Sequence, residues 1–448
     1  MLDFFLQQME DAAGEEALVT PEETTTYAQL LTAYHEKLAW LAERSIQPGA
    51  VVSFDGEYSQ QSISLFLALV ANKNIIVPLS RDAQAHHVEF REIAGTEYDI
   101  SFDGAKLSLK ITGRNATHPL YEKLRNLQRP GLVLFSSGST GKSKGIVHEL
   151  FSLMEKFLVL RKRQRMLIFL QLDHIGGINS LLYSLANGGT AIVPENRSPD
   201  RVCAAIERFQ ADLLATSPTF LNLLLLSRTH ADYDLSSLKV ISYGTEPMPQ
   251  STLNRFAELL PGTQMQQTYG LSELGILRTK SRGPDSLWVK IGGKEFETKI
   301  HENRLWVRSK SSMIGYLNAP DPFDSEGFFD TGDLVECDGD WLKILGRESE
   351  IINVGGLKVY PAEVESVLLE ISNVEDVIVF GENHPITGKI VAARFKLIAP
   401  EPLRDFKARM LSFCKDRLQR YKVPGKIFLT EGSLHNERFK RMRGLHEQ

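Results

Sequence analysis

The sequence contains little cysteine. Cys203, Cys337 and Cys414 are the three cysteines in 448 residues, and they lie far apart. An odd and widely spaced set argues against a disulfide framework, and it lacks the paired spacing of a zinc site. Because unpaired thiols suit a reducing compartment, we expect a cytoplasmic protein.

Long apolar runs are also absent. The most apolar stretch, 221–226, is short and interrupted by Asn222, whereas a membrane-spanning helix needs roughly 18 apolar residues. The N-terminal residues MLDFFLQQMEDAAGEE have neither the basic start nor the apolar core of a signal peptide. We therefore expect no membrane partner.

Neither sign of charge dominates. The 51 Lys and Arg residues face 56 Asp and Glu residues, for a formal net charge of −5, so nothing calls for nucleic acid as a partner. The short basic run 161–165 is typical of a solvated helix end. With 42% hydrophobic and 24% charged residues, the composition is that of a soluble globular enzyme. The length predicts two or three structural units.

Apolar segments alternate between strand and helix patterns from about residue 130 to 270. This alternation predicts an α/β fold with largely parallel, buried sheets and packed helices. Ser198 and Pro199 form a helix start, with Ser198 as the N-cap. The predicted strands are 131–137, 166–172, 190–194, 211–217, 238–244 and 264–270, and the predicted helices are 147–160, 176–189 and 198–210.

The pattern changes twice towards the C-terminus. After about residue 285, short alternating segments predict antiparallel β-hairpins. After residue 346, two predicted helices and two predicted strands are enough for a small α+β domain. The pattern places a boundary at 346–350, between a large N-terminal domain over 1–345 that includes a β-rich subdomain and a small C-terminal domain over 351–448.

One segment is rich in glycine and hydroxyl side chains. Residues 135–145 read Phe-Ser-Ser-Gly-Ser-Thr-Gly-Lys-Ser-Lys-Gly. Backbone N–H groups and hydroxyls in such a loop suit phosphate oxygens, and Lys144 could supply a point charge. The triplet 141–143 suggests a Walker-type P-loop, but that motif needs a glycine where Ser136 stands. A plain flexible loop is the other interpretation, although a buried strand precedes the segment.

This loop resembles the signature of the adenylate-forming (AMP-binding) superfamily, which includes acyl-CoA ligases, peptide-synthetase adenylation domains and luciferases. That signature reads roughly Ser-Gly-Ser/Thr-Thr-Gly-x-Pro-Lys-Gly, with Ser143 here in place of proline. Further segments resemble the family's motifs in the family's order, with Ser272 replacing threonine and Glu350 replacing aspartate. They are 244–247, 268–273, 329–334, 346–350 and 353–361. The resemblance spans nearly the whole chain. The N-terminal domain is shorter than is usual in this family and resembles in size that of compact ligases such as o-succinylbenzoate–CoA ligase.

The resemblance implies a site for ATP and Mg²⁺. Asp333 would accept hydrogen bonds from the ribose hydroxyls, since a carboxylate can accept from both at once. Glu273 and Thr140 would bind Mg²⁺, which prefers few carboxylates together with phosphate oxygens. Thr140, Lys144 and Glu273 would act in catalysis. The residues implied to bind nucleotide are Ser136, Ser137, Gly138, Ser139, Thr140, Gly141, Lys144, Gly244, Thr245, Glu246, Thr268, Tyr269, Gly270, Ser272, Asp333 and Arg347.

The resemblance also implies an acid pocket and a path for a thiol. His174, Gly244 and Leu271 would line the pocket, although His174 could instead be an ordinary core histidine. The segments around them are mostly apolar, which favours an aryl or medium aliphatic acid over an amino acid. Residues Gly355 and Gly356 would let a pantetheine arm pass between the domains. The resemblance further implies that 346–350 is a hinge, with rotation about Glu350, and that the C-terminal domain 351–448 is mobile.

The C-terminal catalytic cation has two candidate positions. The family's last motif reads roughly Pro-x-Thr-x-x-Gly-Lys-x-x-x-Arg, and here it departs from that pattern. Counting from Pro424 places Lys440 at the lysine position, with Phe439 replacing glycine, whereas a shifted register places Arg438 there. We favour Lys440, because a compact ammonium group can contact two oxygens.

We therefore expect an acid–thiol ligase that uses ATP, Mg²⁺ and a thiol of CoA or phosphopantetheine. It would activate a small carboxylic acid as an acyl-adenylate and transfer the acyl group to CoA or a carrier protein. The alternative is an enzyme that passes the adenylate to an amine or another nitrogen nucleophile. A non-catalytic interaction module is disfavoured, because every phosphate and ribose position is filled.

Overall fold

A computed structural model describes residues 1–104, 106–137, 143–293, 295–385 and 387–435. The first large sheet of the N-terminal part consists mainly of short parallel strands. Leu167, Leu214 and Ile241 of its central strands are fully buried, as expected when helices cover both faces of a parallel sheet. Its strands, in spatial order, are Gln264–Gln267, Val240–Tyr243, Leu213–Thr216, Arg165–Leu167, Thr190–Ile192, Glu16–Val19 and Thr24–Thr26, the last pairing antiparallel.

The second large sheet has a parallel centre and antiparallel edges. The strands Tyr98–Asp103, Val51–Asp55, Ile75–Leu79 and Gly131–Ser137 are neighbours and run parallel. At one edge, Lys106–Ile111 pairs antiparallel with Tyr98–Asp103. At the other edge, Ser143–Glu149 pairs antiparallel with Gly131–Ser137, and Gly315–Tyr316 pairs antiparallel with Ser143–Glu149. The strands Gly131–Ser137 and Ser143–Glu149 pair antiparallel and flank residues 138–142 of the hydroxyl-rich segment.

Helices fill the space between and around these sheets. Gln60–Ala71 and Ile175–Ala186 are apolar on almost every side, and they share one hydrophobic core with side chains of both sheets. Ser198 accepts a hydrogen bond from the Arg201 amide, which confirms the predicted N-cap. The helices are Leu2–Asp11, Tyr27–Glu43, Gln60–Ala71, His87–Ala94, Pro119–Leu127, Leu150–Met154, Ile175–Ala186, Pro199–Phe209, Pro218–Ser227, Gln250–Leu259, Pro361–Leu368 and Leu403–Cys414.

A β-rich part follows the first sheet, as predicted. It begins with a two-stranded ribbon of Gly270–Leu271 and Gly275–Ile276. An antiparallel sheet follows, whose strands in spatial order are Thr279–Ser281, Trp288–Ile291, Trp341–Arg347, Phe329–Asp338, Arg304–Ser309 and Phe296–His301. Its last strand in the chain, Trp341–Arg347, ends inside the predicted hinge 346–350.

The C-terminal part has a hydrophobic core of its own, formed by residues between Ile352 and Ile427. Two helices pack on a sheet whose strands are Leu357–Val359, Ile352–Val354, Gly388–Leu397, Val374–His384 and Lys426–Thr430. The domain limits 1–345, 346–350 and 351–448, and the mobility of the last domain, stay predictions. Among the described helices, none is long and apolar enough to cross a membrane.

Two predicted elements were wrong. Residues 147–149 belong to the strand Ser143–Glu149, not to a helix, because they pair with the neighbouring strand Gly131–Ser137. The helix that follows is short, Leu150–Met154, and continues only as a 3-10 turn. The predicted strand 166–172 ends at Leu167. Its remaining apolar residues are buried in irregular backbone, so the apolar run marked burial and not an extended strand.

Tyr27→Phe should lower the stability of the fold. The Tyr27 hydroxyl donates to the carbonyl oxygens of Ser184 and Gly189, at 3.0 and 2.6 Å, and so ties the second helix to the end of Ile175–Ala186. Losing the donor removes a buried hydrogen bond, although the Ser184 carbonyl still accepts from the Gly189 amide, and should cost roughly 0.5–1.5 kcal/mol. The measurement is the urea midpoint of unfolding. Tyr34→Phe is the control, because Tyr34 is also a buried residue and its hydroxyl has no hydrogen bond among the described residues. An equal loss of stability in both variants would contradict the assignment.

Candidate active site

A cavity of about 100 Å³ opens where the first sheet meets the β-rich part. It brings together several segments that are far apart in sequence. Nine residues named in the sequence analysis contribute to its wall, together with four others. The lining residues are Thr245, Glu246, Pro247, Gln267, Thr268, Tyr269, Gly270, Leu271, Asp333, Ile344, Gly346, Arg347 and Glu350.

A buried carboxyl group, Asp333, forms one wall of this cavity. The Tyr269 hydroxyl donates to Asp333 Oδ2 at 2.6 Å, and Arg347 Nε lies 3.5 Å from Oδ1. Burial raises the pKa of the Asp333 carboxyl, while Arg347 and Tyr269 oppose that shift. A carboxylate can accept several hydrogen bonds, so each oxygen retains capacity for a further donor. The group is therefore suited to accept from neighbouring hydroxyls of a ligand.

Another part of the wall follows the ends of two parallel strands, Val240–Tyr243 and Gln264–Gln267, although Gly244 itself does not line the cavity. At Gly244, a Cβ atom would lie 2.6 Å from Thr268 Oγ1, so only glycine fits where these strand ends converge. The Thr268 amide donates to the Tyr243 carbonyl at 2.7 Å and holds them together. Glu246 Oε1 accepts from the Thr219 amide at 2.7 Å. One oxygen of this predicted nucleotide-binding residue thus contacts the start of helix Pro218–Ser227.

Gln267 is a cavity residue that the sequence analysis missed. Its side chain is buried, and its amide oxygen has no hydrogen-bond partner in the part of the chain that the structure describes. Its sequence position could have indicated this role, because Gln267 ends the strand Gln264–Gln267 and directly precedes Thr268 and Tyr269.

The phosphate-loop residues lie partly outside the described residues. Gly138, Ser139, Thr140 and Gly141 fall in the gap 138–142. Ser136 pairs with Lys144, and Ser137 with Ser143, on the two strands that flank this gap. Lys144 Nζ lies 5.1 Å from the centroid of the Tyr316 ring, a distance compatible with a cation–π contact.

Glu273 lies in the turn of the ribbon, beside that same tyrosine. The Tyr316 hydroxyl donates to Glu273 Oε1 at 2.9 Å, and the Met313 amide donates to the Glu273 carbonyl at 2.7 Å. Tyr316, missed from sequence, thus connects the phosphate-loop lysine to the predicted metal ligand. Burial, followed by the nearby Glu273 carboxylate, raises the Tyr316 pKa, so the hydroxyl stays a donor.

His148 makes a hydrogen bond to the backbone of the same turn. Its Nε2 lies 2.6 Å from the Ser272 carbonyl oxygen, so Nε2 carries the proton and donates. The imidazole is fully buried, and burial lowers its pKa to about 4 despite that hydrogen bond. His148 is therefore neutral near pH 7. Ser272 itself contributes this carbonyl group, and it does not line the cavity.

Several other predicted residues lie outside the cavity wall. His174 is the N-cap of helix Ile175–Ala186, and its Nδ1 accepts from the Gly176 amide at 3.0 Å. Gly355 and Gly356 form the exposed tip of a hairpin, with φ angles of 58° and 88° that favour glycine. Lys440 and Arg438 lie outside the described residues.

Comparison with models of protein families shows to which family the chain belongs. The model of the AMP-binding enzyme matches residues 5–300, and the model of the AMP-binding enzyme C-terminal domain matches residues 363–440. The chain is a member of the AMP-binding enzyme family. The predicted resemblance is thereby confirmed.

Curated relatives of this AMP-binding enzyme include several CoA ligases. It is 27% identical to the long-chain-fatty-acid–CoA ligase FadD13 of Mycobacterium tuberculosis, over 68% of this chain but only 64% of the relative, less than two thirds of its length. It is 26% identical to the 2-succinylbenzoate–CoA ligase of Bacillus subtilis, over 93% of this chain and 91% of the relative. It is 30% identical to the ligase of the same name from Bacillus licheniformis, over 74% of this chain and 73% of the relative.

Solved structures show the same fold. The o-succinylbenzoate CoA synthetase of Bacillus subtilis, in complex with an acyl-adenylate intermediate, superposes with a TM-score of 0.78 at 24% identity, covering 98% of this chain and 96% of that one. The amide bond synthetase McbA of Marinactinospora thermotolerans superposes with a TM-score of 0.75 at 23% identity, covering 98% of this chain and 97% of that one. These likenesses confirm the predicted fold class.

Asp333→Asn should make this AMP-binding enzyme more stable at pH 8. Because burial raises the pKa of the Asp333 carboxyl, the folded state favours its protonated form, and ionisation at higher pH lowers stability. Asparagine keeps an acceptor for Tyr269 without a charge. The gain in melting temperature should be largest at pH 8 and shrink towards pH 4.

The matched control is Asp330→Asn. Asp330 makes an ion pair with Arg304 at 3.0 Å, so this variant should gain no stability at either pH. Destabilisation by Asp333→Asn at pH 8, with no change at pH 4, would show that Asp333 has an ordinary paired carboxylate instead.

Proposed function

We propose that this AMP-binding enzyme is an acid–thiol ligase. It activates a carboxylic acid with ATP as an acyl-adenylate, releases pyrophosphate, and transfers the acyl group to the thiol of CoA. The single observation that carries this proposal is the buried Asp333 carboxyl between Tyr269 and Arg347, in a cavity that borders the turn bearing Glu273. The relatives named CoA ligases support the thiol acceptor.

Each part of the cavity suits one part of ATP. Asp333 accepts from the ribose hydroxyls. The convergent strand ends at Gly244 and Thr268 provide a narrow wall for the adenine. The hydroxyl-rich loop, whose flanking strands carry Ser136 and Lys144, contacts the phosphates. Phosphoryl transfer relies on positioning and on neutralising charge at the phosphate oxygens, so such cations and donors are the main catalytic groups.

The residues present fit a magnesium ion. Mg²⁺ is usually held by one or two carboxylates together with phosphate oxygens and water. Glu273 supplies a carboxylate whose second oxygen is not used by Tyr316. When bound, Mg²⁺ would stabilise charge on the phosphates. Thr140 stays a predicted second ligand.

The transfer step depends on the C-terminal domain and the hinge. Arg304 lies 3.0 Å from Asp330 and 3.3 Å from Glu348, and so connects the antiparallel sheet to the 3-10 turn that contains Glu350. We propose that rotation about Glu350 separates the two half-reactions. Gly355 and Gly356 would then let the pantetheine arm approach, whether it belongs to CoA or to a carrier protein.

A nitrogen nucleophile is the second candidate acceptor. The fold is shared with an amide bond synthetase, and the last motif of this chain departs from the family's pattern. The two candidates differ only after the adenylate has formed. Supplying a premade acyl-adenylate with either CoA or an amine therefore distinguishes them.

Glu273→Gln should lower the adenylation rate by roughly a hundredfold and weaken ATP binding less. Magnesium acts mainly on charge that develops on the phosphates, so loss of its carboxylate ligand should affect kcat and the Mg²⁺ requirement. Initial rates of pyrophosphate release against Mg²⁺ concentration measure both. Glu297→Gln, on an exposed strand of the antiparallel sheet, is the matched control. A metal-independent enzyme or a fully active Glu273→Gln would contradict the assignment.

Lys440→Ala should impair only the first half-reaction. A cation at the α-phosphate stabilises the transition state of adenylation, so its loss should lower that rate by roughly 10²–10³-fold with little change in ATP binding. Thioester formation from a premade acyl-adenylate and CoA should largely survive. Arg438→Ala should have smaller effects on both steps.

Two outcomes would correct this account. If Arg438→Ala is the crippling change and Lys440→Ala is mild, the shifted register is right. If the premade adenylate never yields a thioester but acylates an amine, the acceptor is a nitrogen nucleophile and the enzyme is not an acid–thiol ligase.

A further inference from the structure

The turn 272–274, which bears Glu273, is bound from outside at three successive carbonyl groups. In chain order, these carbonyl oxygens accept from His148 Nε2 at 2.6 Å, from the Met313 amide at 2.7 Å and from Ser311 Oγ at 2.8 Å. All three donors come from segments that are distant in sequence. The backbone on both sides of Glu273 is therefore held by the rest of the protein.

The ribbon itself is too small to fix this turn. Its two strands, Gly270–Leu271 and Gly275–Ile276, have two residues each, and an isolated two-stranded hairpin is at best marginally stable. Within the turn, the Leu274 amide donates to the Leu271 carbonyl at 3.1 Å. The place of the turn in the molecule thus depends on the three outside donors.

His148 is the most rigidly mounted of these donors. Its imidazole is fully buried, and it belongs to the strand Ser143–Glu149. That strand pairs with Gly131–Ser137 on one side and with Gly315–Tyr316 on the other. A side chain on an inner strand has little freedom to shift, so the position of the ring sets the position of the Ser272 carbonyl.

The same strand also carries the lysine that follows the phosphate loop. Lys144 and His148 are four residues apart, so they lie on one face of the strand. Lys144 Nζ lies 5.1 Å from the centroid of the Tyr316 ring, and the Tyr316 hydroxyl donates to Glu273 Oε1 at 2.9 Å. One strand and its neighbour therefore set the distance between the phosphate-loop cation and the predicted metal ligand.

Magnesium makes this distance important. Mg²⁺ demands nearly ideal octahedral geometry with short bonds to its oxygen ligands. Groups that orient a metal ligand without touching the metal commonly change metal affinity or activity by 10–100-fold when they are removed. A small displacement of the Glu273 backbone should therefore weaken the metal site even though the carboxylate is still present.

We propose that His148 is a positioning residue for adenylation, which holds the Glu273 carboxylate in place through the Ser272 carbonyl. This inference rests on the proposed function, in which Glu273 binds Mg²⁺, and adds a residue that contacts neither the nucleotide nor the metal. The hydrogen bond from Nε2 is the feature that matters, and the volume of the imidazole ring is not sufficient.

The first test compares a ligand that needs the metal with one that does not. His148→Leu should weaken binding of the Mn²⁺ complex of α,β-methylene ATP about tenfold and raise the Mg²⁺ concentration for half-maximal pyrophosphate exchange by about the same factor. Binding of AMP in EDTA should stay unchanged, because AMP lacks the phosphates that share the metal with Glu273. Isothermal titration measures both affinities.

A matched pair of amides tests the hydrogen bond itself. The glutamine side chain can place its NH₂ group where Nε2 lies, whereas asparagine is one carbon shorter. His148→Gln should therefore retain most of the affinity for the Mn²⁺ complex, and His148→Asn should resemble His148→Leu. His230→Leu is the control, because His230 Nδ1 also lies 3.2 Å from a backbone carbonyl, that of Leu224, but beside helix Pro218–Ser227; it should change neither affinity.

A further variant keeps the test decisive if the His148 variants fail to fold. Ser311→Ala removes the neighbouring hydrogen bond to Leu274 and should weaken binding of the Mn²⁺ complex about threefold, the effect of one neutral hydrogen bond. Unchanged binding would then overturn the inference. In the Glu273→Gln background, His148→Leu should add little, because both changes act on one carboxylate.

The outcomes separate this inference from the proposed function. Suppose that Glu273→Gln weakens binding of the Mn²⁺ complex. If His148→Leu does not, or if it weakens AMP binding equally, the positioning role is overturned and the proposed function stands. If Glu273→Gln itself leaves binding of the Mn²⁺ complex unchanged, the metal assignment in the proposed function fails, and the inference fails with it.

Discussion

The candidate active site depends on keeping the Asp333 carboxyl buried. Burial disfavours its charge, so the group needs donors beside it, and two distant segments supply them. Tyr269 comes from the chain leaving the first sheet, and Arg347 ends the strand that leads into the hinge. These contacts hold the first sheet, the antiparallel sheet and the hinge around one cavity. A change that removes either donor should therefore affect the cavity as a whole and not only one contact.

The short ribbon 270–276 connects the remaining parts of the site. One strand of it lines the nucleotide cavity, and its turn carries Glu273, which Tyr316 contacts directly and His148 supports through the Ser272 carbonyl. The other strand accepts a hydrogen bond from Lys156 through the Ile276 carbonyl. The proposed nucleotide and metal positions would thus both depend on one small element.

Much of the fold and part of the site could be predicted, because some constraints are local. Gly244 is required by the close approach of Thr268. The segments 268–273 and 329–334, which bring Tyr269 and Asp333 together, resemble short motifs of the family. Tyr316, His148 and Lys156 could not be predicted, since their partners lie 43, 124 and 23 or more residues away and no local pattern marks them. The helix expected at 147–160 was wrong for a related reason: pairing with a neighbouring strand overrode the local apolar pattern.

The central claim is that this cavity makes an acyl-adenylate, and acid-dependent exchange of labelled pyrophosphate into ATP tests it most directly. The measurement needs neither the thiol nor the transfer step, so it isolates the chemistry assigned to Asp333, Glu273 and the phosphate loop. The account predicts exchange that requires both Mg²⁺ and an added carboxylic acid and that is absent without either. Exchange that is independent of any acid, or no exchange across a broad panel of mono- and dicarboxylic acids, would contradict it.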